Sequence, residues 1–420
     1  MRKNSLIKSG LLIFTGMSAG NVINYLFQVT MGRVLEVRSF GEMNALFSIF
    51  MIIGIPSTSI TSYLAGVVSR HLAQNNLTHI LTYKRRAYAW TAVFCMVVLT
   101  AGWLFMPQFM NFTEITQKSA VVFFLLYLAI SMSLPVNLGF IQGFKFFSFF
   151  SIFSGGFPLV KYVICTGLVL LGFGLTGVMA GMFFTLLIMT FVLFLRVEKA
   201  INPDLCNTTY VYKEKTSMDF YHIFISYLAY ALLTQTDIFL VKCYFSSYET
   251  GIFSSASIIG KTVLYIPQGI VFSLFPIVAH SKAKDENTLN HLVKSVIFTA
   301  VLCLPFLIAL AFFRNPIVSV LFGNRYMASG ELITLLAFAM FPFAIISVCL
   351  NYSLALKKYL FSYIMLVISL VQISAIALYH TTLLQIAKVI LLCGISCVII
   401  YFIVLVIQLK GKSEPISADS

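Results

Sequence analysis

Apolar runs of about 20 residues, the length a helix needs to cross hydrocarbon, recur twelve times along the chain with short polar stretches between them. They fall at roughly 9–31, 43–67, 87–107, 119–141, 148–171, 175–195, 220–242, 252–276, 295–313, 328–351, 359–380 and 387–408. No run shows the period-2 alternation of a half-buried strand, so the pattern predicts an all-α, polytopic membrane protein of about 12 transmembrane helices. The first run is longer than a secretory h-region and lacks a small-residue cleavage site, so it is expected to stay as a helix.

Composition sharpens this picture. With 60% hydrophobic and 10% charged residues and a mean hydropathy of +0.95, too few polar side chains exist to cover a soluble globule of this size. The longest polar gap, roughly residues 196–218, is too short to fold alone, which excludes a soluble catalytic or nucleic-acid-binding domain between spans. Of 28 Lys and Arg, most lie in the two tails and in the loops that share their side. That bias predicts cytoplasmic termini, with Lys84-Arg85-Arg86 as the strongest anchor. The net charge of +14 then reflects topology and attraction to anionic headgroups. The eight cysteines are scattered singly and suit buried packing better than disulfides. The six histidines have no partner at metal-ligand spacing, so no metal is expected.

Three landmarks recur at an offset of about 210 residues. Ser39-Phe40-Gly41-Glu42 resembles Glu249-Thr250-Gly251-Ile252, Pro56 and Pro267 follow at similar distances, and Phe144-Lys145-Phe146-Phe147 matches Leu356-Lys357-Lys358-Tyr359. Six spans per half give both halves one orientation. The expected organisation is an N-terminal six-helix lobe (1–195), a cytoplasmic linker (196–218), a C-terminal six-helix lobe (219–409) and a cytoplasmic tail (410–420).

Polar residues inside spans carry the candidate chemistry. Lys161 and Lys261 sit near the middles of apolar runs, where a charge costs about 2.5–3.5 kcal/mol on insertion scales and therefore faces a protein interior or a watery cavity. Lys261 belongs to a stripe of Ser254, Ser257, Lys261, Tyr265 and Gln268 at helical spacing. Ser226, Tyr230, Thr234 and Asp237 form a second stripe, Asn21, Asn24 and Gln28 a third, and Ser151, Ser154, Pro158, Lys161 and Cys165 a fourth. Hydrogen-bonded helix packing explains single Ser residues as well as a wet face does. Asp237 is either the ion-pair mate of one lysine or a group that couples transport to a proton or sodium ion. One acid against two lysines leaves surplus positive charge, which favours anionic cargo. Arg33 and Arg38 in the first external loop, and Arg314 and Arg325 in the fifth, either attract phosphates or sugars or form a solvated face, and the solvated face is the first reading of each.

Several short motifs bear a resemblance. Gly32-Arg33-Val34-Leu35 through Phe40-Gly41, Gln142-Gly143-Phe144-Lys145, Thr236-Asp237-Ile238-Phe239-Leu240, Gly251-Ile252-Phe253-Ser254-Ser255-Ala256, and Leu321-Phe322-Gly323 followed by Tyr326 occur in the order seen in polysaccharide-synthesis flippases. The chain thus resembles the Wzx-type O-antigen transporters of the multidrug/oligosaccharidyl-lipid/polysaccharide exporter superfamily over nearly its whole length. The resemblance implies two six-helix lobes in a MATE-like V, and a flippase, not an enzyme, in the bacterial inner membrane. Its implied cargo is an undecaprenyl-diphosphate-linked oligosaccharide, moved by alternating access. Lys161 and Lys261 would meet the diphosphate, and Asn24, Gln28, Tyr265, Gln268 and Arg33 the rest of the headgroup. Partners would be that lipid-linked glycan, membrane lipids and other polysaccharide-assembly membrane proteins, with no cofactor beyond a coupling H+ or Na+. The alternative is a cation-coupled multidrug antiporter of the same superfamily. Lipid II flippases carry two further spans, which disfavours peptidoglycan precursor as cargo.

Overall fold

The structure, a computed structural model, describes residues 3–74, 77–200, 218–268, 270–271, 274, 278 and 288–410. Among them there are helices and turns but no strand. The helices are α1 (Lys3–Val34), α2 (Val37–Ile53), α3 (Pro56–Ala73), α4 (Leu77–Thr113), α5 (Lys118–Ser131), α6 (Ser133–Gly143), α7 (Phe147–Leu168) and α8 (Gly174–Ala200). They continue as α9 (Met218–Tyr244), α10 (Ser247–Lys261), α11 (Leu289–Phe312), α12 (Arg314–Leu321), α13 (Gly330–Ala355), α14 (Leu360–Leu378) and α15 (Leu383–Lys410). Residues 201–217, most of the expected linker, and 411–420, nearly all of the expected tail, lie outside the described residues.

Eight stretches of the described residues are long and apolar enough to cross a membrane. This is a multi-pass membrane protein. Four expected spans do not appear separately among the eight, and three of these have local reasons. The stretch Phe147–Ala200 holds two expected spans, α7 and α8, joined at Val169–Phe173 by a reversal in which Gly172 and Gly174 take φ of 91° and 51°. Those angles suit glycine because it has no Cβ to clash. The second expected span is broken at Gly54–Ile55, and Pro56 starts α3, where a missing N–H costs nothing. The eighth changes to a 3-10 turn at Thr262–Tyr265 just before Pro267.

The chain folds into two compact units, Met1–Phe220 with Ser246–Gly251, and Tyr221–Phe245 with Ile252–Ser420. In the first unit α1 packs along α7, α3 on α6, and α5 and α7 on α8. The α1–α7 approach is close: a Cβ at Gly16 would lie 2.3 Å from the Ser151 carbonyl oxygen, and one at Gly20 2.4 Å from that of Ser154. Small residues permit such crossings in lipid, where van der Waals contact replaces the hydrophobic drive. The start of α10 joins this unit because Gly41 and Gly251 meet there. A Cβ at Gly41 would lie 2.4 Å from the Ser247 oxygen, and one at Gly251 2.1 Å from that of Val37. These two contacts exchange under the sequence offset of about 210 residues.

In the second unit α13 is the central helix, burying Ile333, Leu336, Met340, Phe343 and Ala344 against α11 and α15. The outer surfaces are apolar. Trp90, Met96, Trp103 and Leu104 of α4 are exposed, as lipid-facing side chains are. At 37 residues and about 1.5 Å per residue, α4 outlasts a hydrocarbon core of about 30 Å, and its basic early turns lie beyond it. There Lys84 pairs with Glu198 of α8, and the Arg196 guanidinium lies 4.1 Å from the Phe146 ring centroid.

The third repeated landmark has one geometry in both units. Lys145 after α6 and Lys357 after α13 take φ of 61° and 58°. The Phe146 N–H donates to the Ile141 carbonyl at 3.1 Å, and the Lys358 N–H to the Ser353 carbonyl at 2.9 Å. Both are Schellman-type stops. A left-handed conformation costs a non-glycine residue about 1–2 kcal/mol. Lys145→Gly or Lys357→Gly is therefore expected to stabilise by about 0.5–1 kcal/mol, read as a higher midpoint of thermal unfolding in detergent. A lower midpoint at both sites would contradict the left-handed assignment.

Candidate functional site

Lys161 lies one turn after Pro158 on α7 and turns toward α1. Its Nζ donates to Asn24 Oδ1 at 2.5 Å and sits 4.6 Å from the Phe27 ring centroid, where the ring's negative face attracts a cation. The side chain is half-buried. No carboxylate pairs with it among the described residues. Gln28, one turn from Asn24 on the same face of α1, has a buried Oε1 with no hydrogen-bond partner. Two residues on, Thr30 and Tyr162 join α1 to α7 through their hydroxyls at 3.1 Å. The first unit thus holds an ammonium, two amides and an aromatic face together within its membrane-spanning helices.

Lys261 has a different environment. Its Nζ lies 2.8 Å from Asp237 Oδ1, while the Ser257 hydroxyl donates to Asp237 Oδ2 at 2.8 Å. Asp237 is 1% exposed and Lys261 9%. Both carboxylate oxygens are engaged, so α9 and α10 are tied by a buried, charge-compensated pair, and of the two lysines it is Lys261 that Asp237 mates.

The stripe beyond Lys261 does not continue either. Four residues of α-helix turn a side chain by about 40° net, whereas four of 3-10 helix turn it by about 120°. With the change at Thr262, Tyr265 leaves the Asp237 face and is 56% exposed; Gln268 is exposed as well. The polar stripe of α9 faces its own bundle. Ser226 and Ser362 share a hydrogen bond of 2.5 Å, Tyr230 donates to the Phe343 carbonyl at 3.3 Å, and Thr234 to the Tyr230 carbonyl at 2.9 Å. The first two bind helix to helix, and the third stays within α9. Arg33 is exposed at the end of α1.

Two participants escaped the sequence reading. Phe27, one of 41 phenylalanines, stands out only once α1 and α7 are seen in contact. Glu42, placed at a span's edge by hydropathy, is 2% exposed and accepts from the Ser247 hydroxyl at 2.9 Å and from Arg38 Nε at 3.4 Å. Its one legible signal was Arg38, a helical turn earlier on the same face.

Solved structures of several membrane transporters share this arrangement of helices. The lipid II flippase MurJ, in an inward closed conformation, matches with a TM-score of 0.71 and 13% identity over 95% of this chain and 87% of that one. An inward-facing multidrug resistance MATE family transporter of the MOP superfamily gives 0.62 and 13% over 94% and 96%. MATE in the straight conformation gives 0.62 and 14% over 96% of each. At such identities the likeness shows the fold alone. A search of curated protein sequences finds no match. The sequence model of the polysaccharide biosynthesis protein family, however, matches residues 30–331, well over half of the 420 residues. The chain belongs to that family.

Proposed function

We propose that the protein is a flippase that carries an undecaprenyl-diphosphate-linked oligosaccharide, an O-antigen or similar surface-polysaccharide repeat unit, across the bacterial inner membrane by alternating access. The observation that carries this reading is Lys161: a half-buried ammonium in a spanning helix, held by a neutral amide and an aromatic face, with no acid to neutralise it among the described residues. A charge costs about 2.5–3.5 kcal/mol at that depth and is kept where it meets a ligand or water. A diphosphate is a fitting ligand, since its transfer out of water requires opposite charge and hydrogen-bond donors. Lys161, Asn24 and Gln28 take the diphosphate and the adjoining sugar in this reading. Tyr265, Gln268 and Arg33, all exposed, contact more distal sugars, and the prenyl tail stays in lipid. Lys261 contributes through its pair with Asp237 and adds no net charge. The excess of Lys and Arg on the side of the tails orients both termini to the cytoplasm.

A multidrug antiporter of the same superfamily is the competing reading. Cationic cargo calls for an available acid, and both oxygens of Asp237 are taken. Deleting the gene and assaying both activities separates the two. The expected result is loss of one surface glycan with its lipid-linked unit accumulating in the inner leaflet, and unchanged efflux of cationic dyes. Intact glycan with impaired dye efflux would establish the antiporter.

A further inference from the structure

Between the spanning helices α11 and α13 the chain builds a short helix, α12, that no part of the transport reading uses. α11 ends at Phe312, Phe313 breaks the helical geometry with φ of −109° and ψ of 22°, and α12 runs over Arg314–Leu321. Gly323, at φ of 87°, then turns the chain into the 3-10 segment Asn324–Ser329 and on to α13. At eight residues and about 1.5 Å each, α12 is far too short to cross a bilayer. α11 and α13 pack on each other, so both of its tethers leave the membrane at one face and hold the segment at that surface.

Two apolar faces follow from its sequence. Val318, Phe322 and Tyr326 are buried, with the Phe322 and Tyr326 ring centroids 5.6 Å apart, and they fasten the segment to the bundle. On the other side Phe313, Pro316 and Val320 recur at helical spacing, and all three are exposed. Phe312 is 79% exposed and Val320 68%, and Met327 beyond the helix is exposed too. Arg314 and Arg325 flank this stripe. An apolar stripe bordered by guanidinium groups, fixed at the level where two spans emerge, suits an acyl boundary beneath a layer of phosphates.

We propose that α12 is an interfacial helix whose Phe313–Pro316–Val320 stripe, continued by Phe312 and Met327, is embedded in the bilayer surface, with Arg314 and Arg325 at the level of the lipid phosphates. The occupant of this face is phospholipid. The two arginines, read from sequence as part of a solvated face, then act as lipid-headgroup contacts. This proposal is independent of the cargo assigned above.

The test uses the full chain with Trp90→Phe and Trp103→Phe, reconstituted into phosphatidylethanolamine/phosphatidylglycerol vesicles, with one reporter at a time: Val320→Trp, Met327→Trp or, as control, Asn324→Trp. Shallowly brominated acyl chains are expected to lower the Val320→Trp and Met327→Trp emission about twofold, as burial about 5–10 Å into the boundary implies. Deeply brominated chains should act less, and acrylamide should barely quench. Asn324→Trp should show the opposite pattern. Emission from position 320 quenched by acrylamide and not by bromolipid would overturn the proposal. Protection from both quenchers would overturn it too, because a second copy or another protein would then cover the stripe. Met327→Trp gives the same decision should Val320→Trp fail to fold.

Discussion

Lys161→Met is expected to abolish most transport while making the protein more stable. The side chain donates to Asn24 and lies against Phe27, but neither neutralises its charge. An apolar replacement removes a mid-membrane penalty of about 2.5–3.5 kcal/mol, less whatever the cation–π contact contributes, about 0.5–2 kcal/mol. The unfolding midpoint in detergent should hold or rise. Cargo binding moves the opposite way. Removing one side of a buried, hydrogen-bonded charge pair costs about 2–5 kcal/mol, and about 1.4 kcal/mol is tenfold in affinity, so surface glycan should fall at least about tenfold at equal protein level. Lys161→Arg, which keeps the charge on a larger donor, should retain part of the activity. Asn24→Ala frees the ammonium from its orientation without discharging it and should fall between the two. Wild-type glycan output from Lys161→Met would remove the cation from the mechanism.

The place of Lys161 inside a long apolar helix was legible because hydropathy marks the runs long enough to span a bilayer. Its partners were not, because periodicity fixes a face relative to the helix axis and says nothing of the neighbouring helix. That is why Phe27 went unnoticed, and why the α9 stripe left a wet face and helix packing both open, where Ser226 and Tyr230 in fact bond α9 to its own bundle. Helix breaks were partly legible. Pro56 and Pro267 marked two of them, and the Lys145 and Lys357 stops appeared as a sequence match before their shared left-handed geometry was visible. Pro267 did not tell how far before it the α-helix gives way, and the 3-10 turn that starts at Thr262 parts the stripe through Tyr265 and Gln268 from the Asp237 face. Glu42 illustrates a further limit. Hydropathy counted it as a boundary acid, whereas the close approach at Gly41 and Gly251, which only packing reveals, buries it beside Ser247.

Asp237 and Lys261 yield the second large effect, in which a double substitution is milder than either single one. Asp237→Asn leaves an ammonium 9% exposed without its counter-charge, and Lys261→Met leaves a carboxylate 1% exposed with only the Ser257 hydroxyl. Breaking a buried pair from one side costs about 3–5 kcal/mol, whereas replacing both members by neutral groups is often close to neutral. Each single variant should therefore lose much of its detergent-stable fraction, and Asp237→Asn with Lys261→Met should recover most of it. Restoration arises because the two charges serve each other, a non-additivity that a double-mutant cycle measures directly. The charge-reversed pair, Asp237→Lys with Lys261→Asp, should recover less, because Ser257 on α10 then faces an ammonium in place of the carboxylate oxygen it now donates to. Transport by the stable neutral double variant identifies what the pair is for. Glycan export near the wild-type level is the expected result and makes the pair a structural tie between α9 and α10. A double variant that is stable yet inactive would instead identify Asp237 as the group that takes up the coupling proton or sodium ion.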